Sequence, residues 1–246
     1  MIDYSKYKLN PKEAIVSIAV FFPAIVVIAI IFYDSIYACI PGIFLFPFYL
    51  RIKKEEYKVR RLSDLRNQFC RMIESVSVAV VAGCSIENAF MECYKDMEKL
   101  YGADSYIAVE LKELISEMTI NRKIDIGLSD FATRSSISEI KDFAIVFSQA
   151  KRSGGNYKEI ISKTVHIISQ KIETEKEIQT ILNGRVFEQK VMSIIPFFII
   201  AYLRLSSGSY MRVLYHNPVG IIVMTSCLTI YFFALILSRK IIDIEV

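Results

Sequence analysis

The chain has 246 residues, 53% hydrophobic and 23% charged, with 30 Lys and Arg against 26 Asp and Glu for a formal net charge of +4. Such apolarity beside so many charges implies that the two are segregated along the chain, as in a membrane protein with a soluble insert. The basic residues gather beside the apolar ends, as in Arg51, Lys53, Lys54, Lys58, Arg60 and Arg61, which favours contact with anionic membrane lipids and argues against nucleic acid as a partner.

Residues 1–13 are polar, carry Lys6, Lys8 and Lys12, and lack the short apolar core and small-residue cleavage site of a removable signal peptide, so they read as a retained cytoplasmic segment. Residues 14–50 are apolar apart from Asp34. As one helix they would extend about 55 Å, too long for a hydrocarbon core of about 30 Å, so two spans are expected. The break belongs at Tyr33-Asp34-Ser35, because a carboxylate at a span centre costs about 2.5 to 3.5 kcal/mol. Pro23, Pro41 and Pro47 are expected to kink these spans without breaking them. Lysine and arginine bias places both ends of this hairpin in the cytoplasm and Asp34 outside.

Residues 51–190 hold nearly all the ionisable groups and read as a cytoplasmic helical domain. Leu65, Phe69, Met72, Ile73, Val76 and Val80 recur at helical steps up to a stop at Ala82-Gly83. Ser85 with Glu87 opens the next helix, whose stripe runs Ile86, Ala89, Phe90, Cys93, Met97 and Leu100 to a stop at Gly102. A third stripe, Ile107, Leu111, Leu114, Ile115 and Met118, precedes the connector Thr119 to Lys123 and a short helix from Asp125 to Arg134. Ser136 with Glu139 reads as a capping box for a helix that buries Ile140, Phe143, Ala144 and Phe147 and stops at Ser153-Gly154-Gly155. Asn156 with Glu159 restarts a long helix along Ile161, Val165, Ile168 and Ile172. Nothing alternates as a strand would. The expected fold is an all-α membrane protein, an antiparallel bundle of about six helices flanked by two transmembrane helix pairs, four spans in all.

In the second pair, residues 191–238, the apolar run Val191 to Leu203 continues the long helix into the bilayer, with Arg204 snorkelling to lengthen it. A polar loop from Ser206 to Pro218 lies outside, Val219 to Ser238 is the clearest span, and residues 239–246 form a cytoplasmic tail. The chain would thus be a multi-pass membrane protein with both termini in the cytoplasm.

Catalytic constellations are missing: there is no Walker loop, no His-Glu-x-x-His, no Gly-x-Ser-x-Gly and no dinucleotide fingerprint. His166 falls on the long helix and His216 in the outer loop, which separates them. The cysteines, Cys39 and Cys227 in apolar runs and Cys70, Cys84 and Cys93 at helical positions, form neither a disulfide framework nor a metal set. No enzyme activity, cofactor or metal is expected. Glu110, Glu113 and Glu117 share helical spacing and read as a solvated acidic face. The corner Lys151 to Asn156 reads either as an anion cradle, with its Gly pair and basic neighbours before a helix N-terminus, or as a plain helix-helix turn.

The run Ala82-Gly83-Cys84-Ser85-Ile86-Glu87-Asn88-Ala89-Phe90, the later Glu117, and Lys151-Arg152-Ser153-Gly154-Gly155-Asn156 resemble the F-domain of type II secretion and type IV pilus platform proteins. The two corners stand about seventy residues apart in the order that family shows. A single F-domain copy between two membrane pairs is similar to the tight-adherence (Tad) pilus branch, TadB-like or TadC-like. Cys84 replaces the usual apolar residue, and no tight Gly follows Glu117 as closely as in many relatives. The resemblance implies Gly83, Ser85, Ala89, Glu117, Arg152, Gly154, Gly155 and Asn156 as motif or interaction positions. It also implies a platform that couples a cytosolic secretion ATPase to pilin subunits, acting as an oligomer of itself or with a paired platform protein. A membrane-anchored signalling or scaffold protein is the alternative reading, and a channel stands third because the spans lack ionisable groups.

Overall fold

The computed structural model describes residue 4 and residues 11–35, 37, 39–44, 46–153, 156–206, 215 and 217–242. Regular structure among these residues is helical, without a strand: α1 (Pro11–Tyr33), α2 (Cys39–Ile43), α3 (Phe46–Val81), α4 (Ile86–Tyr101), α5 (Tyr106–Thr119), α6 (Ile124–Ser135), α7 (Ser138–Ser153), α8 (Tyr157–Ser206) and α9 (Pro218–Ile242). They sort into a polar unit, Met1–Lys8 with Lys54–Thr174, and an apolar unit, Leu9–Lys53 with Glu175–Val246, so α3 and α8 each contribute to both.

The polar unit is built on the stripes that helical periodicity marks out. Leu65, Phe69, Met72, Ile73, Val76 and Val80 of α3 are buried, and so are Ala89, Phe90, Cys93 and Met97 of α4 and Ile161, Val165, Ile168 and Ile172 of α8, all within one core. Leu100, expected in the α4 stripe, is 65% exposed because it lies in the last turn, where the helix ends and no neighbour covers it. Aromatic rings carry the core between helices: Phe69 lies 6.2 Å from Phe131 and 5.7 Å from Phe143, Phe143 lies 5.7 Å from Phe147, and Phe147 lies 6.0 Å from Phe90. Offset and edge-on pairs of this kind add about 0.5 to 1.5 kcal/mol each beyond the area they bury. Cys93 donates to the Met72 carbonyl at 3.4 Å, and burial pushes its thiol up to about 12, so it fills space as an unreactive thiol.

Glu139 does not complete the expected capping box. Ser136 takes a left-handed φ of 57° as the C-cap of α6 and α7 starts at Ser138, which places Glu139 at only 3% exposure between neighbouring helices. Its Oε1 accepts from Arg66 of α3 at 2.7 Å and pairs with Lys171 of α8 at 2.8 Å, while Ser138 donates to Oε2 at 3.0 Å. Burial alone would raise its pKa. Lys171, a backbone amide, Arg66 and Ser138 outweigh that and hold it at about 2.

In the apolar unit three helical stretches are long and apolar enough to cross a membrane: Glu13–Tyr33 with mean hydropathy 3.1, an 18-residue window within α8, and Pro218–Ser238. The stretch Ser35 to Leu50, expected as one kinked span, is instead divided into α2, a turn at Phe44 and the first turns of α3. Pro47, the second residue of α3, has no amide to give the Ile43 carbonyl, so the hydrogen-bond ladder does not run from α2 into α3. The divided leg nevertheless returns along α1. Gly42 sits against Ile25, close enough that a Cβ would meet its Cγ2 at 3.0 Å. Phe21 lies 5.2 Å from Phe46 and 4.8 Å from Tyr49. These pairs straddle Asp34, which ends α1 with a φ of 48°.

Arg204 pairs with Asp34 and with the Ile30 carbonyl. Tyr33 and Thr225 share a hydroxyl hydrogen bond of 3.0 Å, Gln189 donates to Ser238 at 2.9 Å, and Phe197 lies edge-on to Phe32 and Tyr231. The remaining side-chain surface of these helices is largely exposed and apolar, including Ile15, Val20, Phe198, Ile222 and Phe233, as lipid contact requires.

Two outcomes follow for the full chain in detergent. Phe143→Ala lowers stability by about 3 to 5 kcal/mol, read as faster amide exchange in α3 and α7 with wild-type exchange in α9. Because the folded pKa of Glu139 is depressed, its contribution is complete above the unfolded value near 4.5 and is lost as pH falls toward about 2. Glu139→Gln therefore costs stability at neutral pH and shows a smaller loss than wild type between those limits in an acid titration.

Candidate functional site

The first motif corner closes α3 on α4. The Gly83 amide donates to the Val80 carbonyl at 3.1 Å and the Cys84 amide to Ala79 at 3.0 Å, the double bond of a Schellman stop. Gly83 holds a φ of +103°, and a Cβ there would meet nothing within 4 Å. Backbone conformation, not crowding, demands glycine. Cys84 belongs to this connector and not to a helix, as its spacing had implied. Ser85 caps α4, its hydroxyl accepting from the Asn88 amide at 3.3 Å, and Ala89 one turn on is fully buried.

Glu117 ends α5. Its carbonyl accepts from the Ile120 and Arg122 amides at 3.2 and 3.1 Å, and its carboxylate pairs with Arg122. Gly127 of α6 comes up against it: a Cβ there would lie 2.6 Å from Leu114 Cδ2 and 2.8 Å from Glu117 Oε2. A glycine does therefore serve Glu117, supplied in space by the next helix and ten residues later in sequence.

Of the second corner, Gly154 and Gly155 lie outside the described residues, as does His216. Arg152 is exposed in the last turn of α7. Asn156 caps α8 by accepting the Ile160 amide on its carbonyl at 3.2 Å, and its side-chain amide donates to Glu159. Arg152 also lines an open groove of about 740 Å³ between α6 and α7, with Ser129 and Thr133 on one wall and Lys141, Ile145 and Ser148 on the other. Asp125 Oδ1 is buried at this groove without a hydrogen-bond partner. The helices that carry the two corners, α4 and α7, touch through Phe90 and Phe147, the neighbours in sequence of Ala89 and Ser148. Glu117 acts with Gly127 on α5 and α6.

The acidic face expected on α5 is not uniformly solvated. Glu110 is 1% exposed and accepts Arg134 Nη1 and Nη2 at 2.8 and 2.6 Å and the Tyr4 hydroxyl at 2.9 Å. Arg134 also donates through Nε to Asp130 at 3.0 Å. Hydrogen bonding to Glu110, ahead of the opposing effect of burial, raises the guanidinium further above its usual range. Tyr4, assigned from sequence to a polar leader, is fully buried in this core. Its amide donates to the Arg134 carbonyl at 3.2 Å, the Arg61 guanidinium lies 4.8 Å over its ring, and Tyr106 meets it edge-on at 6.2 Å. Burial, then the charge of Glu110, raises its phenol well above the ordinary value. Burying a tyrosine ring is worth roughly 4 to 6 kcal/mol at about 25 cal/mol per Å². A signal for Glu110 existed, since it falls in phase with Ile107, Leu111 and Leu114. No periodicity could mark Tyr4.

His166 is exposed on α8, and no group of His, Cys, Asp and Glu fit to hold a metal ion occurs among the described residues. The geometry offers helix-stop-helix corners, a polar groove and buried ion pairs that hold helices together. No protein-family model, curated protein or solved structure matches the chain.

Gly83→Ala lowers stability by about 1 to 2 kcal/mol through strain alone. Gly184→Ala, in the interior of α8 with nothing within 4 Å of its Cβ, raises local helix stability by up to about 1 kcal/mol; amide exchange along α4 and α8 reads both. Arg134→Met leaves Glu110 buried without its ion-pair partner and costs about 3 to 5 kcal/mol, measured by the same exchange in α5.

Proposed function

We propose that the chain is a non-enzymatic platform of the inner, cytoplasmic membrane, of the Tad pilus or type II secretion-like kind, which couples a cytosolic secretion ATPase to the assembly or export of pilin subunits. Residues 51–190 form the cytoplasmic domain that receives the motor. The observation that carries this reading is the continuity of α3 and α8, each of which runs without a helix break from apolar residues into the charged, packed unit. A helix fixed at one end in lipid and at the other in a rigid core is a mechanical link, and a link needs no catalytic group.

The reading includes four membrane crossings, with both termini cytoplasmic. Contacts of Gly42 with Ile25 and of Phe46 and Tyr49 with Phe21 support the crossing by residues 35–50, because they bring the divided leg back along α1 as far as Phe21. The pairing of Arg204 with Asp34 supports a common outer end for α1 and α8. The two motif corners support the F-domain reading through their resemblance, and the groove beside Arg152 provides a polar surface next to one of them. The platform works as an oligomer with itself or with a paired TadB-like or TadC-like protein.

The test is co-purification of the full chain, in detergent, with the secretion ATPase encoded beside it, with and without a paired platform protein. Retention of the ATPase is expected, together with at least a tenfold loss for the Gly83→Val variant. Absence of binding with either partner combination contradicts the proposal.

A further inference from the structure

We propose that the groove between α6 and α7 is an interface between copies of this chain, filled by the exposed stripe of α4 from a neighbouring copy. On α7 the groove wall carries Lys141, Ile145, Ser148 and Arg152, at successive steps of four, three and four residues that keep them on one face. Glu87, Met91, Tyr94 and Glu98 stand on α4 at the same steps. Each stripe therefore has a charge at both ends, about 16 Å apart along its helix, basic on α7 and acidic on α4. All four charged residues are exposed, and none has an ion-pair partner among the described residues. Ile145 and Met91 between them are exposed as well.

Direction and level agree with the charges. The chain reverses at Gly83, so α4 runs against α3, whereas α7 runs with α3, since Arg66 meets Glu139 and Phe69 meets Phe143. The two stripes are therefore antiparallel, and within one copy α4 and α7 meet at Phe90 and Phe147, inside both stripes. Rotating a second copy about an axis parallel to these helices preserves that level. It brings Glu87 to Arg152, Met91 to Ser148, Tyr94 to Ile145 and Glu98 to Lys141, within about 3 Å of axial register. A guanidinium has five donors, so Arg152 can take Glu87 and Asp125 together, and the buried Asp125 Oδ1 at this groove, otherwise without a partner, gains one. Groove and stripe are different surfaces carried by every copy, so the contact is head-to-tail. All three helices belong to the polar unit. The inference rests on the self-assembly included in the function proposed above, and not on the motor.

For the test, full chains bearing Ser148→Cys or Met91→Cys and different affinity tags are produced in one membrane and oxidised with copper phenanthroline. A disulfide-linked pair carrying both tags is expected, well above the background of two wild-type chains. Arg152→Glu in the Ser148→Cys chain is expected to lower its yield about tenfold, and Glu87→Arg in the Met91→Cys chain to restore it. Lys141→Glu with Glu98→Lys repeats the exchange at the other end of the stripe, should Arg152→Glu disturb α7. No link above background, a link indifferent to the first charge reversal, or no recovery with the second would each overturn the proposal. Retention of the secretion ATPase is read on the same preparations. A link without the ATPase upholds the interface and contradicts the motor reading alone, whereas loss of the ATPase on Arg152→Glu without any link assigns the groove to the motor and overturns the proposal.

Discussion

A carboxylate with 3% exposure survives in a protein interior only when cations meet it, and Glu139 is met from two sides, by Arg66 of α3 and Lys171 of α8. That one charge fixes the spacing of three helices. Two of them, α3 and α8, are those that continue into the apolar unit. Glu110 with Arg134 repeats the device between α5 and α6. Around both, the phenylalanines of α3, α4, α6 and α7 supply the apolar burial that no ion pair could replace.

Periodic features were legible in the sequence and solitary ones were not. The buried faces of α3, α7 and the first half of α8 follow from three- and four-residue spacing, because burial of a stripe is what creates the spacing. Gly83 and Ser85 were legible as a stop and a cap for local reasons that need no tertiary partner. Glu139 was misread because a local rule, the capping box, competed with a distant one: α3 and α8 supply cations that no window around Ser136 contains. Gly127 escaped notice beside Glu117 for a similar reason, since the close approach is made by a neighbouring helix. Residues 35–50 looked like one span on hydropathy, which is blind to Pro47 interrupting the hydrogen-bond ladder.

The apolar unit gives the polar one its context. The apolar window of α8 has none of its residues buried, and the corresponding window of α9 has 6%; side chains so apolar and so uncovered need a hydrocarbon solvent. Polar side chains tie its helices to one another in the Asp34 and Arg204 pair, the Tyr33 to Thr225 bond and the Gln189 to Ser238 bond. Among the described residues of these apolar stretches, no row of ionisable groups lines a transport path.

The central claim is that the charged unit and the Asp34 turn lie on opposite sides of one membrane. Ile167, 64% exposed on α8, and Tyr37, 82% exposed just past that turn, are the positions to test as single Ile167→Cys and Tyr37→Cys variants. Each is labelled with a membrane-impermeant maleimide in intact cells and in inverted vesicles, and the labelled peptide is identified by mass. The account requires labelling of position 37 in intact cells and of position 167 only in inverted vesicles. Labelling of both from the same side would contradict it.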